Sequence, residues 1–242
     1  MKSIKFTFIL AIFVGFGLIS CENEPLTGNF SDETGVGSGN GSGSGNVGTG
    51  SGTSTGDYYP RAVGNTWNYS VTGSGSESHI IDGTSSINGV TYYTFSENEN
   101  GFGSIRKSAA SYFARIGIDL STPAYIITGT PIEIKFLQDD APVGTTWENP
   151  RTVEYTYTPV GSSPAIPNAT VNMNYKYTVE AVGISHTVNG VTYNNVIQLS
   201  HVLETGLGTP DTIGEYFFAK DVGPIEYTID GATYKLTSYT LN

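Results

Sequence analysis

The sequence predicts an all-β fold: a curved antiparallel sheet or partly open barrel built from two similar halves, with a two-sheet sandwich as the alternative. Three observations carry this. The first is strict alternation: Val171, Met173, Tyr175, Tyr177, Val179 and Ala181 are apolar, while Asn172, Asn174, Lys176, Thr178 and Glu180 between them are polar. A period of two with one greasy and one wet side is the mark of a half-buried antiparallel strand. The second is turn chemistry, with Asn88-Gly89, Asn189-Gly190 and Asp230-Gly231 each set between apolar residues, the pairs that favour type I′ hairpin turns. The third is an ordered internal recurrence, described below.

The chain opens with Lys2 and Lys5, then an apolar run from Phe6 to Ile19, then Ser20 and Cys21, the sole cysteine. A positive start, an apolar middle and a small residue before the cleavage point are the parts of a secretory signal. Fourteen residues fall short of the roughly 20 that span a bilayer. With cysteine at the junction the segment resembles a bacterial lipobox, which implies removal of residues 1–20, acylation of Cys21, and attachment to a membrane through several acyl chains. Cys21 is the predicted lipid-attachment residue, and the predicted location is the outer membrane.

Residues 21–56 are predicted to be a disordered tether. From Thr27 to Gly56 the chain is nearly all glycine, serine, threonine and asparagine, with too few apolar groups to offset the entropy of ordering. Thirty such residues reach about 30 Å on average and roughly 100 Å when stretched. Residues 57–242 are the predicted β domain. Alternation runs through Trp67-Tyr69-Val71, Ile132-Ile134-Phe136 and Val153-Tyr155-Tyr157. Ala232-Tyr234-Leu236 is followed out of phase by Tyr239-Leu241, a slip of one that predicts a bulge at Thr237 and Ser238.

The recurrence divides this domain into halves of about 57–120 and 138–228. Val63-Gly64-Asn65-Thr66-Trp67 returns as Val143-Gly144-Thr145-Thr146-Trp147, Ile87 to Tyr92 returns as Val188 to Tyr193, and Phe113-Ala114-Arg115 returns as Phe218-Ala219-Lys220. Ile105, Ala109, Tyr112, Phe113 and Ile116 alone fit a helical stripe, but the last recurrence favours a strand there. The offsets locate an insertion in the second half, where Pro159, Pro164 and Pro167 stand.

Tyr59-Pro60, the Val63–Trp67 opening and the Phe218–Gly223 stretch, together with the leader, resemble a group of poorly characterised Bacteroidota lipoproteins. The resemblance implies no catalytic residue. It implies acidic residues after the cysteine, loosely matched by Glu22 and Glu24, as a surface-display signal. It also implies O-glycosylation at Asp211-Thr212-Ile213, with Thr212 the acceptor.

Composition narrows the function classes. The chain has 11 basic and 22 acidic residues; losing residues 1–20 removes two lysines and leaves 9 against 22, or −13. Nucleic acid repels such a chain. No cofactor is expected. His79, His186 and His201 are far apart in sequence, with none of the close ligand pairs of zinc sites. The Gly-x-Ser-x-Gly pattern that marks a nucleophile has its nearest matches in the tether repeats around Ser42 and Ser44, where no rigid scaffold could orient a base, and no phosphate-cradling loop is present. Asp139-Asp140 reads as a solvated turn before Pro142, with one side of a carboxylate pair or calcium site as the alternative.

Aromatic residues are the remaining candidates. Trp67 and Trp147 read as core. In the consecutive pairs Tyr92-Tyr93 and Tyr216-Phe217 one ring must point to each sheet face, which makes these four the candidate ligand-stacking residues. The expected function is a non-enzymatic, membrane-anchored envelope module, structural or binding a ligand, glycan or partner protein. A carrier of lipid or another apolar ligand is the alternative.

Overall fold

A computed structural model describes residues 50–96, 102–205, 212–229 and 231–242. Cys21 and the start of the tether lie outside these residues, as do Asp211 and Asp230. Twelve strands are described: β1 (Thr66–Val71), β2 (Gly75–Ile87), β3 (Val90–Phe95), β4 (Ser104–Ser108), β5 (Ser111–Ser121), β6 (Tyr125–Gln138), β7 (Thr146–Pro159), β8 (Ala169–Val188), β9 (Val191–Thr205), β10 (Thr212–Ala219), β11 (Gly223–Ile229) and β12 (Ala232–Thr240). Each pairs antiparallel with its neighbours in sequence, and β1 pairs with β12 from Thr66↔Thr240 to Val71↔Tyr234, which closes the barrel. The all-β expectation holds. Neither a sandwich nor an open edge results, because the first and last strands satisfy each other's ladder.

The predicted bulge is present: Asn68 faces Ser238 while Tyr69 faces Leu236, leaving Thr237 unpaired in the ladder, with its hydroxyl donating to Asn68 O at 2.9 Å. Both Asn-Gly tips have the expected left-handed backbone, with φ of 52° and 78° at Asn88-Gly89 and 49° and 82° at Asn189-Gly190.

The recurring Val63–Trp67 and Val143–Trp147 segments lead into β1 and β7 and so divide the twelve described strands into two groups, β1–β6 and β7–β12. Their entry turns share one hydrogen-bond pattern. Gly64 N donates to Ile81 O (2.7 Å) and Ile81 N to Asn65 O (2.9 Å); Gly144 N donates to Val179 O (2.8 Å) and Val179 N to Thr145 O (2.9 Å). Gly64 and Gly144 have φ of 93° and 85°, a conformation that disfavours side chains. The Phe113–Arg115 and Phe218–Lys220 match is not structural. Phe113 lies in β5, after the turn at Ala109, whereas Phe218 lies in β10, before the turn at Asp221. Phe113 is nonetheless in a strand. The insertion lengthens a hairpin: β7 and β8 have 14 and 20 residues against 6 and 13 in β1 and β2.

The hairpin tip of β8–β9 folds back on later strands. Asn189 Nδ2 donates to Leu236 O at 2.9 Å, and His186 stacks on Phe217 with centroids 3.9 Å apart.

Aromatic rings fill the barrel. Tyr59 contacts Trp67, Phe95, Phe136 and Phe218 at centroid distances of 5.2 to 6.3 Å. A second layer joins Tyr69, His79, Tyr216, Tyr227 and Tyr234, and a third stacks Tyr175, Tyr177 and His201. The pocket between Tyr59, His79, Phe102, Tyr216, Phe218 and Tyr227 has a volume of about 10 Å³, barely enough for one water.

Candidate functional site: the strapped end of the barrel

In an up-and-down barrel the β4–β5, β6–β7, β8–β9 and β10–β11 connections share one end. The segment Ser51–Arg61 crosses that end as a strap. Asp139, from the β6–β7 connection, is its main fastening. The Asp139 carboxylate accepts from Thr55 N (2.9 Å), Ser54 Oγ (2.8 Å) and Lys107 Nζ (2.8 Å), and its backbone O accepts from Thr55 Oγ1 (2.8 Å). Asp140 accepts from Thr53 N at 2.9 Å and Gln138 Nε2 at 2.8 Å.

Lys107, on β4, also reaches Ser54 Oγ and Tyr112 OH, each at 2.7 Å, and Gly56 O. Tyr112 OH accepts from Tyr58 N at 2.8 Å. Burial, with the Asp57 and Asp139 carboxylates adding to it, pushes the Tyr112 hydroxyl far above the usual phenol range. It therefore stays a neutral donor and acceptor. On the other side Lys220 Nζ donates to Thr55 O at 2.8 Å.

These contacts revise two sequence readings. The last tether residues, Ser51–Gly56, bond to the barrel ahead of the predicted domain start at Asp57. Asp139 is buried, at 2 % exposure, so the pair is not a solvated turn: it receives the strap's backbone amides. Lys107 and Tyr112 went unrecognised, because they meet the strap across separations of about 50 to 60 residues without a local pattern.

Beside the strap lies an open groove of about 410 Å³, lined by Thr55, Tyr58, Asp139–Pro142, Val182, Gly183, Asn195 and Lys220. Its shape comes from irregular backbone. The β8–β9 register slips between Val182 and Ile184, and Gly183 (φ 70°) and Asn195 (φ 54°) are both left-handed. Asparagine is one of the few non-glycine residues that adopts that region readily.

The predicted stacking residues do not form a platform. Tyr92 is buried, and its hydroxyl donates to Glu133, which pairs with Arg106 at 2.8 Å. Tyr216 is buried between Phe218 and Tyr227. Phe217 is covered by His186, and Tyr93 is half-buried. Each strand puts one ring on either face as expected, but neighbouring side chains cover the outer rings too. Thr212 opens β10. Trp67 is core, as predicted; Trp147 is half-buried, stacks on Tyr177 and donates from Nε1 to Lys135 O at 2.8 Å.

The histidines have separate surroundings. His79 Nε2 lies 3.0 Å from Glu77 and 3.2 Å from Tyr227 OH, and His186 Nε2 lies 3.1 Å from Glu226. Among the described residues neither ring nitrogen of His201 has a partner, and burial lowers its pKa to about 4. Also among the described residues, no group of three or more His, Cys, Asp or Glu side chains is placed to hold a metal ion.

Comparison with protein families, curated proteins and solved structures gives no match. The geometry alone supports the functional reading.

Proposed function

We propose that this chain is a non-enzymatic envelope module, held on a membrane through acylated Cys21 and binding its ligand or partner on the outside of a rigid barrel. One observation carries the reading: the described interior is packed with the protein's own rings, while a groove of about 410 Å³ stays open beside the strap. The strap itself supplies Thr55 and Tyr58 to that groove. A carrier of lipid or other apolar cargo needs interior room, and the rings of Tyr59, Tyr216, Phe218 and Tyr227 leave about 10 Å³ between them.

Three measurements test the proposal. Cells fed an alkyne fatty acid should label the wild-type protein and not Cys21→Ser, which should leave the membrane fraction. Labelling of Cys21→Ser overturns the anchor. Turnover of any substrate that a single substitution abolishes without unfolding overturns the non-enzymatic reading. Cross-linking on intact cells should retain an envelope partner or glycan at residues around the groove.

A further inference from the structure

We propose that the groove binds a neutral saccharide of one to a few rings. The inference rests on the reading above and assigns the ligand's chemical class. Its first support is the balance of charge. Asp140 and Lys220 face the same groove, and the deeper Asp139 is paired with Lys107 at 2.8 Å. Opposite charges at one rim exert no net pull on an ion, and the net charge of −11 opposes an anion further.

The second support is hydrogen-bonding capacity. Lys220 has three N–H donors, and one is directed to Thr55 O. Asp140 accepts from Thr53 N and Gln138 and has lone pairs left over. Asn195 is exposed and presents an amide that both donates and accepts. Adjacent sugar hydroxyls need this mixture, since each gives one hydrogen and accepts others.

The third support is the apolar edge. Val182 is 41 % exposed and shares the groove with Pro142, so one side offers carbon surface while the other offers polar groups. A pyranose has the same division, with C–H faces and a hydroxyl rim. The left-handed backbone at Asn195 and Gly183, where the β8–β9 register slips, bends this wall as a β-bulge does, and bulges are frequent beside functional sites.

The test uses the purified full-length protein with maltotriose, cellotriose and chitotriose as neutral probes and trigalacturonate as the anionic one, followed by saturation-transfer NMR. At least one neutral trisaccharide should bind at millimolar concentration or below, and trigalacturonate should bind about tenfold more weakly. Asn195→Gly keeps the left-handed backbone and removes the amide; it should weaken binding about tenfold with an unchanged melting curve. Lys220→Met should weaken it similarly. Absence of transfer from all three neutral sugars overturns the saccharide, and so does binding that both variants leave unchanged. If the sugars are silent while cross-linking retains a protein partner at the groove, the saccharide falls and the binding module stands. Silence in both experiments removes both.

Discussion

The side-chain amide of Asn149 takes the place of a backbone peptide against Lys135. Its Oδ1 accepts from Lys135 N at 2.9 Å, and its Nδ2 donates to Lys135 O and Tyr175 O at 3.1 Å each. The β6–β7 ladder runs only from Tyr125↔Pro159 to Gly129↔Tyr155. Further along, side chains bridge the strands: Arg151 Nε donates to Glu133 O at 2.7 Å and Trp147 Nε1 to Lys135 O at 2.8 Å. Asn149 thus closes the seam where the second half joins the first.

Asn149 is buried at 5 % exposure, so replacing it strands backbone groups away from water. Asn149→Ala should cost about 2–3 kcal/mol, read as a lower urea midpoint. Asn149→Asp keeps the shape but turns a donor into an acceptor facing Lys135 O and Tyr175 O, and should be at least as harmful. An Asp variant as stable as wild type would contradict the bridging role.

One buried ion pair backs the main fastening of the strap. The Asp139 side chain is 0 % exposed and that of Lys107 14 %, and breaking such a pair from one side costs about 3–5 kcal/mol. Asp139→Asn should raise amide exchange at Thr53 and Thr55 far more than in the β8–β9 ladder, and should expose residues 51–57 to proteases. Uniform loss of protection across the barrel would show that strap and barrel open together.

Gly223 sits against Trp67. A Cβ there would lie 2.9 Å from Trp67 Nε1, and φ is +111°. Trp67 also donates to Val222 O at 2.7 Å, so the indole cannot retreat without losing that bond. Gly223→Ala should lower stability by about 2–4 kcal/mol from strain and overpacking, measured by thermal unfolding. The double variant Gly223→Ala/Trp67→Phe should recover part of the loss.

His201 gives the fold an acid sensitivity. Stacked on Tyr177 at 4.7 Å and buried, it has a pKa lowered to about 4 against about 6.5 in an unfolded chain. The folded state then binds fewer protons, so this contribution is complete above pH 6.5 and is lost as pH falls through the window down to about 4. About 3 kcal/mol is at stake. His201→Phe should flatten the stability profile between pH 6.5 and 4. An unchanged profile would mean the sensitivity comes from other groups.

Much of the barrel was legible in the sequence because its signals are local. Alternation along Val171–Ala181 marks a strand within a few residues, Asn88-Gly89 and Asn189-Gly190 mark turns within two, and the phase slip before Tyr239 locates a bulge. The Phe113 and Phe218 match misled because three residues of similar chemistry recur more readily by chance than the turn that separates them structurally. The candidate site was hardly legible. Asp139 resembles any acidic turn until Ser54 and Thr55 arrive from far upstream, and Tyr92 and Phe217 resemble exposed rings until Glu133 and His186 cover them.

By itself the sequence determined the all-β class, the strand phases, the hairpin tips, the paired entry turns and the expectation of an acylated Cys21, since each depends on neighbouring residues and their periodicity. Tertiary structure alone decided that β1 meets β12, that aromatic rings leave the described interior full, and that Ser51–Arg61 is strapped across one end beside an open groove. Closure, filling and strapping depend on which distant side chains share a volume, and a one-dimensional pattern does not encode that directly.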